Sequence, residues 1–158
     1  MKLLPSKALH VDIARAADDV YRFVADPLNF PRWAAVSGPM EQIGPLDWKA
    51  QTAFGERLVR FTTQNDFGCF DHAVFASGEE PIFIRGWIIP NGAGCTLVLV
   101  FPQRPDVTTE QFASALQWIE MDLMTLRSLL EVDPWHPRFA VPKVTASLIA
   151  PGSPRQIL

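Results

Sequence analysis

The sequence predicts an α+β domain in which a curved antiparallel β-sheet packs around one long C-terminal helix. In the middle of the chain, apolar and polar residues alternate in runs that short turn segments separate, which is typical of antiparallel strands. Near the C-terminus, apolar residues recur every three or four positions over a long segment, which predicts a helix with one apolar face. An antiparallel sheet has to bury one of its faces, and this helix is the element that can cover it.

The composition fits one globular domain. The chain has 158 residues, of which 48% are hydrophobic and 20% are charged, a balance that argues against disorder. The net charge is −3 and the basic residues are scattered, so nucleic acid is not an expected partner. Aromatic residues are plentiful, with eleven Phe and five Trp but one Tyr. Such rings either build a core or line an apolar cavity, and composition alone does not choose between the two.

The N-terminal part predicts one strand followed by short helices. The strand covers Leu9–Ala14, where apolar and polar residues alternate. A helix follows, because two aspartates occupy its first turn and Val20, Phe23 and Val24 share one face. An Asp-Pro pair ends this helix, and a second short helical or turn segment is predicted at Leu28–Trp33.

Six further strands are predicted, each bounded by turn residues such as Gly, Pro and Asn. They are Met40–Ile43, Asp47–Thr52, Glu56–Gln64, Cys69–Ala76, Ile82–Ile89 and Cys95–Phe101. The turns between them are short, so consecutive strands should pair as an antiparallel meander.

The long helix is predicted at Thr109–Glu131. Thr108 and Gln111 have the spacing of a capping box, and an Asp-Pro pair follows the last helical turn. The apolar stripe consists of Phe112, Leu116, Ile119, Leu123, Leu126 and Leu130. Trp118, Met121 and Met124 widen the apolar surface, so we expect this helix to be covered on more than one side.

The end of the chain has a different composition. Residues 134–158 contain five of the 14 prolines, which excludes a regular helix, so we divide the chain into a domain at 1–133 and a Pro-rich extension at 134–158. Apolar residues in the extension allow it to pack against the domain or a partner chain. A partly ordered tail is the alternative.

The expected location is the cytoplasm. Pro5 interrupts the N-terminal segment, so a signal peptide is not expected, and no run approaches the roughly 18 apolar residues of a membrane span. Cys69 and Cys95 could form one disulfide, but two buried thiols are favoured. The three histidines are far apart and no metal-binding spacing occurs, so neither a metal nor another cofactor is expected.

The segment Ile13–Pro27 combines an acidic helix start, a Val with an aromatic residue and an Asp before a turn, and Pro31–Trp33 adds a Trp soon after. Together with the order of elements, this pattern resembles the helix-grip fold of the START-like superfamily, in its polyketide cyclase/dehydrase-like branch. Ala16 stands where a proline is common in that family, which changes how the chain enters the helix. The resemblance covers about residues 9–131 and leaves out the Pro-rich extension.

The resemblance implies a cavity between the sheet and the long helix that holds an apolar or amphipathic small molecule. Members of the superfamily include cyclases or aromatases, carriers or sensors, and co-chaperones, so the fold alone does not choose a function. The leading hypothesis is that the protein binds a hydrophobic or aromatic small molecule in this cavity. The alternatives are a polyketide cyclase/dehydratase-type enzyme that uses the same cavity, and a co-chaperone or protein-interaction module. The chain could also form a homodimer.

The residues predicted to contact a ligand are aromatic or basic. They are Trp33, Trp48, Arg57, Phe61, Phe83, Arg85, Trp87 and Trp118. Alternation places Arg57 and Phe61 on the apolar face of their strand. Both faces of Ile82–Ile89 are apolar, so alternation does not show which of them faces inward.

Three polar side chains of the predicted sheet could carry chemistry. Arg85 is a lone charge in an apolar strand, so it reaches water, pairs with a carboxylate such as Asp71, or holds a ligand anion in the cavity. His72 and Asp71 are the candidate acid and base of an enzymatic reaction. For each of the three, the alternative is an ordinary structural or surface role.

Overall fold

The computed structural model describes residues 3–34, 37–52 and 55–132. This part of the chain forms strands β1 (Ser6–Ile13), β2 (Ser37–Gln42), β3 (Asp47–Thr52), β4 (Gly55–Phe61), β5 (His72–Phe75), β6 (Ile82–Asn91) and β7 (Gly94–Pro102). Its helices are α1 (Ala17–Val24), α2 (Phe30–Trp33) and α3 (Thr109–Glu131), and a 3₁₀ turn at Pro27–Asn29 precedes α2. The predicted Pro-rich extension lies outside the described residues.

The seven strands form one antiparallel sheet in the order β1-β7-β6-β5-β4-β3-β2. From β2 to β7, each strand pairs with the next one in the chain, as expected for strands joined by short turns. The first strand, β1, pairs with the last strand, β7, in a continuous register from Ser6↔Pro102 to Ile13↔Cys95. The sheet and the long helix confirm the predicted α+β architecture.

Alternation along the strands gives the sheet one buried face, which we call the inner face; the other is the outer face. The buried strand residues of the inner face include Val11, Ile13, Trp48, Ala50, Val59, Phe61, His72, Ile88, Leu97 and Leu99. The helices complete this core with Val20, Phe23, Val24, Phe30, Trp33, Leu123, Leu126 and Leu130. Each large apolar side chain buried here contributes about 1.5–3 kcal/mol, so the core holds the helices against the sheet.

Hydrogen bonds hold both ends of α3 in place. The Thr108 hydroxyl accepts a hydrogen bond from the Gln111 backbone N–H (3.2 Å), and the Gln111 side chain accepts one from the Thr108 N–H (2.9 Å), which confirms the predicted capping box. At the other end, Glu131 Oε1 accepts a hydrogen bond from the Ala14 N–H (2.8 Å). Between these ends, α3 packs against β1 and α2. Within the described residues, no helix combines the length and the apolar character needed to cross a membrane.

Cys69 and Cys95 are both free thiols. Cys95 is buried on β7, whereas Cys69 is half-buried and its Sγ lies 3.6 Å from Asp71 Oδ1. Burial raises the pKa of both thiols, because the thiolate would lose its hydration. Both cysteines are therefore protonated at neutral pH, which is typical of structural rather than nucleophilic thiols.

Candidate functional site

Helix α2 places two aromatic rings over the inner face of the sheet. Before it, the Asp26 side chain caps the 3₁₀ turn by accepting a hydrogen bond from the Leu28 N–H (3.0 Å). Pro27 fixes the backbone at the first position of that turn, and α2 follows directly. Because Phe30 and Trp33 are three positions apart on one helical turn, their side chains lie on the same side, and both are buried.

Strands β4 and β5 bring Phe61 and His72 to the same place. These two residues are direct partners in the β4–β5 register, and their rings stack with centroids 6.1 Å apart. The Phe30 ring meets both at a steep angle, with centroids 5.5 Å from Phe61 and 5.3 Å from His72, and it meets Trp33 in the same way at 5.1 Å. We call these four side chains (Phe30, Trp33, Phe61 and His72) the aromatic cluster.

The imidazole of His72 is kept neutral by its surroundings. The residue is 6% exposed, and burial lowers its pKa from 6.5 to about 4, because the charged ring would lose its hydration. Nδ1 lies 3.4 Å from the carbonyl oxygen of Phe70. A carbonyl oxygen only accepts, so the N–H of the neutral ring lies on Nδ1 and Nε2 keeps its lone pair. His72 therefore offers the interior a hydrogen-bond acceptor rather than a positive charge.

The indole N–H of Trp33 has no hydrogen-bond partner among the described residues. Trp33 is 4% exposed, and an indole N–H normally finds a partner when it is buried this deeply. Leaving such a donor unpaired costs about 1–3 kcal/mol. Within the described part of the chain, Trp33 Nε1 is the one buried side-chain nitrogen or oxygen without a hydrogen-bond partner, and it belongs to the same cluster as the neutral imidazole of His72.

Arg57 places a positive charge at one end of the inner face, as predicted from alternation. It pairs with Ala50 across β3 and lies on the same side of β4 as Val59 and Phe61. Its guanidinium donates to the backbone carbonyl of Glu56 (2.9 Å), and the ion pairs formed by the described residues do not include it. Four residues along a strand span about 14 Å, so this charge is well separated from the aromatic cluster.

Two of the other predicted tryptophans, Trp48 and Trp118, occupy different places. Trp48 is buried on the inner face, opposite Val59 on β4. Trp118 is exposed on α3 and takes no part in the aromatic cluster. Phe30 was not predicted as a site residue, although its spacing from Trp33 was the available signal. The carboxylate of Asp122, which is buried on α3, was not predicted either.

Phe83, Arg85 and Trp87 lie on the outer face, opposite the aromatic cluster. Gly86 and Ile88 of β6 are buried, whereas Phe83 and Trp87 are exposed. Arg85 lies two residues from each of these exposed residues, so it is on the same outer face. These three residues were predicted to contact a ligand between the sheet and the long helix. Because they lie on the opposite face, they cannot make those contacts.

Arg85 instead forms an ion pair with Asp71 on the outer face. Arg85 Nη1 lies 2.6 Å from Asp71 Oδ2, and the Gly86 backbone N–H donates to Asp71 Oδ1 at 2.9 Å. The guanidinium also lies over the Phe83 ring, 5.6 Å from its centroid. Because neighbouring residues of an extended chain point to opposite faces, the sheet separates the carboxylate of Asp71 from the imidazole of His72. The structure does not bring the predicted acid and base together.

Solved structures share this arrangement of sheet and helices. A START superfamily protein from Mycobacterium smegmatis is similar with a TM-score of 0.67 at 13% identity, over 80% of this chain and 97% of that one. The Aha1 dimer from Colwellia psychrerythraea is similar with a TM-score of 0.66 at 11% identity, over 82% of this chain and 98% of that one. The chain has the START-like helix-grip fold.

The helix-grip fold is also shared by Ara h 8.0201, with a TM-score of 0.59 at 10% identity, over 80% of this chain and 97% of that one. No protein-family model and no curated protein matches the sequence. At these identities the likeness shows the fold alone, so the polyketide cyclase/dehydrase-like branch stays a prediction.

The polar groups on the inner face of this helix-grip protein suit oxygen atoms of an organic ligand. They are an indole N–H, a neutral imidazole nitrogen and, further along β4, a guanidinium. Among residues 3–34, 37–52 and 55–132, no three His, Cys, Asp or Glu side chains lie close enough together to hold a metal ion.

Proposed function

We propose that this helix-grip protein binds a hydrophobic or aromatic small molecule that carries a hydroxyl or carbonyl oxygen, between the inner face and α3. The observation that carries the proposal is the buried Trp33 N–H without a partner among the described residues. A ligand oxygen that accepts from this N–H would remove a cost of about 1–3 kcal/mol. The apolar body of the ligand would replace contacts with the surrounding rings.

The neighbouring groups favour a ligand with further polar atoms. A hydroxyl can accept from the Trp33 N–H and can also donate to a neutral imidazole nitrogen such as His72 Nε2. Arg57 lies about 14 Å along β4 from Phe61 and would pair with an anionic group at the far end of an elongated ligand. This spacing supports an amphipathic ligand.

Binding would require part of the aromatic cluster to move. The four rings contact one another, and Phe30 is the ring that contacts the other three. Phe30 belongs to α2, which has four residues and so has few backbone hydrogen bonds to lose. We place the ligand where the Phe30 ring now lies, with α2 shifting outward to admit it.

An enzymatic role receives less support from the geometry. A catalytic imidazole works best with a pKa near the pH of the reaction, whereas burial lowers the pKa of His72 to about 4. Asp71, the other candidate, is engaged by Arg85 and Gly86 on the outer face. A cyclase or dehydratase would have to find its acid and base elsewhere.

An interaction module is the second candidate function, and the outer face of β6 favours it. Phe83, Trp87 and Ile89 are exposed there on the same side of the strand, with Arg85 between Phe83 and Trp87. Large apolar side chains exposed together are typical of surfaces that contact another protein. This role uses the opposite face of the sheet, so the two functions can be tested separately.

The test compares 2-naphthol with naphthalene, which lacks the oxygen, using the full chain. The indole N–H signals in ¹⁵N–¹H spectra report binding at each tryptophan. We expect 2-naphthol to shift the Trp33 signal and to bind two- to tenfold more tightly than naphthalene, which corresponds to one hydrogen bond. In Trp33→Phe the preference for 2-naphthol should become smaller, whereas Trp118→Phe, the exposed control, should keep the full difference.

The proposal is overturned if neither compound moves the Trp33 signal, or if both bind equally to the unchanged protein. A response confined to the Trp118 signal would also contradict it, because binding would then take place on the surface of α3. Thermal unfolding of Trp33→Phe shows whether that variant is folded. His72→Gln provides a second variant, in which 2-naphthol should bind more weakly while naphthalene is unaffected.

A further inference from the structure

Helix α3 carries apolar side chains on the side opposite the core. Met121 and Met124 are 58% and 56% exposed, and Trp118 and Val132 are exposed beside them. At 3.6 residues per turn, these positions lie roughly 120–180° around the helix from Phe112, which is buried against the sheet. We call these four residues the outer strip. Two methionines and a tryptophan are a large apolar surface for one side of a helix to leave exposed.

Two depressions follow the outer strip along α3. One has a volume of about 380 Å³ and is lined by Met124, Thr125, Ser128, Leu129 and Val132. The other has a volume of about 530 Å³ and is lined by Gln117, Glu120, Met121, Met124 and Thr125. They share Met124 and Thr125, so together they form one shallow, open depression along α3 from Val132 back to Gln117, which we call the groove.

We propose that the C-terminal segment, residues 133–158, docks in this groove. The segment leaves α3 at Val132, which itself lines the groove, so it starts at the site. From Val132 back to Gln117 the helix rises about 22 Å, a distance that roughly seven extended residues cover. The segment has 26 residues, which is ample to follow the groove over its whole length.

The chemistry of the segment matches that of the groove. Its prolines favour an extended backbone, and its large apolar side chains include Trp135, Phe139, Val141, Val144, Leu148 and Ile149. Its net charge is +2, from Arg138, Lys143 and Arg155 against Asp133. Among the residues that line the groove, the charged one is Glu120, which gives the groove a charge of −1.

The covalent connection favours this segment over a second copy of the chain. A segment attached beside its own site has an effective concentration of millimolar order, which a free partner reaches only in concentrated solution. Opposite net charges then add attraction that added salt weakens. Docking therefore covers the outer strip within one molecule.

The four methionines provide the test, since [¹³C-methyl]methionine labelling of the full chain gives one signal for each. We expect the double variant Trp135→Ala/Phe139→Ala to shift the Met121 and Met124 signals and to make them more sensitive to a soluble gadolinium chelate. The Met40 signal serves as the internal reference, because Met40 packs against the core. Phe67→Ala, which removes an exposed ring elsewhere, is the matched control and should leave all these signals unchanged.

Two results would overturn the proposal. If the Met121 and Met124 signals are the same in the double variant and in the unchanged protein, the segment does not cover the outer strip. If the signals differ only at high protein concentration and converge on dilution, the contact is made by a second copy. A difference that persists on dilution supports docking within one chain, and it should decrease in 1 M NaCl, where the Debye length is about 3 Å.

Discussion

The ring of Phe70 fills the space that the missing side chain of Gly86 leaves open. A Cβ added to Gly86 would lie 2.6 Å from Phe70 Cζ and less than 3 Å from two further ring atoms. The two backbones are also joined, because the Phe70 N–H donates to the Gly86 carbonyl at 3.0 Å. This bond fixes the spacing, so the ring cannot retreat together with its backbone.

Gly86→Ala should lower the free energy of unfolding by about 1–3 kcal/mol, because the buried Phe70 ring would be forced out of its position. Urea denaturation measures the change. The double variant Gly86→Ala/Phe70→Leu should lose less than the sum of the two single variants, because leucine leaves room for the new methyl group. Additive losses would show that the two residues do not constrain each other.

The burial of His72 predicts a loss of stability in mild acid. The unfolded chain binds the imidazole proton with a pKa of 6.5 and the folded chain with a pKa of about 4, so the unfolded state binds more protons between these values. The stability present above pH 6.5 should fall as the pH drops toward 4, by roughly 3 kcal/mol in total. Denaturation curves recorded over this range measure the slope.

The carboxyl groups of the protein also titrate in acid, so the contribution of His72 needs its own control. His72→Gln removes the imidazole and should flatten the slope between pH 6.5 and pH 4. His10→Gln, at an exposed position of β1, should keep the slope of the unchanged protein. An equal slope in His72→Gln would mean that the imidazole does not resist protonation in the folded state.

Asp71 and Arg85 should contribute unequally to stability, although they form one ion pair. Asp71→Ala leaves both the Arg85 guanidinium and the Gly86 N–H without their acceptor, which should cost about 1–3 kcal/mol. Arg85→Ala should cost less than about 1 kcal/mol, because its side chain is 43% exposed and water replaces much of the interaction. Urea denaturation of both variants compares them, and a larger loss in Arg85→Ala would contradict this assignment.

The contribution of the capping box at the start of α3 to the free energy of unfolding should be measurable with a single substitution. Thr108→Ala removes the acceptor for the Gln111 N–H and should lower the free energy of unfolding by about 1 kcal/mol. Thr109→Ala is the matched control, because Thr109 is the adjacent exposed threonine and does not make the capping bond; it should change stability by less than about 0.5 kcal/mol. Equal losses in the two variants would show that the cap contributes nothing.

The long helix α3 and strand β3 were predictable to the residue, whereas the ends of the other strands were not. Helix α3 has explicit chemical signals, with the Thr108 cap before it and an Asp-Pro pair after it. Strand β2 begins at Ser37 rather than Met40, and its register shifts between these two residues, because pairing with β3 decides where it begins. Strand β5 is shorter than predicted and starts at His72, while Cys69 forms only an isolated bridge with Trp87.

The site was predictable where only one face of a strand is apolar. Alternation correctly placed Phe61 on the inner side of β4, because its outward neighbours are polar. It did not decide the orientation of Arg85, because β6 carries large apolar residues on both faces. In the structure, the buried Phe70 ring packs against Gly86, and Arg85 lies on the opposite face. The unpaired state of the Trp33 N–H depends on the positions of all surrounding acceptors, which no local pattern encodes.

Asp71, which forms the ion pair, directly precedes β5, and the buried His72 is the first residue of β5. The start of this strand therefore tolerates changes of length only in steps of two. One extra residue between them would turn the imidazole toward solvent and bring Ala73 and Phe75 inward, whereas two extra residues would restore every facing. With four residues, β5 is too short to absorb a single insertion as a bulge and still pair with both neighbours. Among natural variants of this strand, insertions and deletions should therefore come in even numbers.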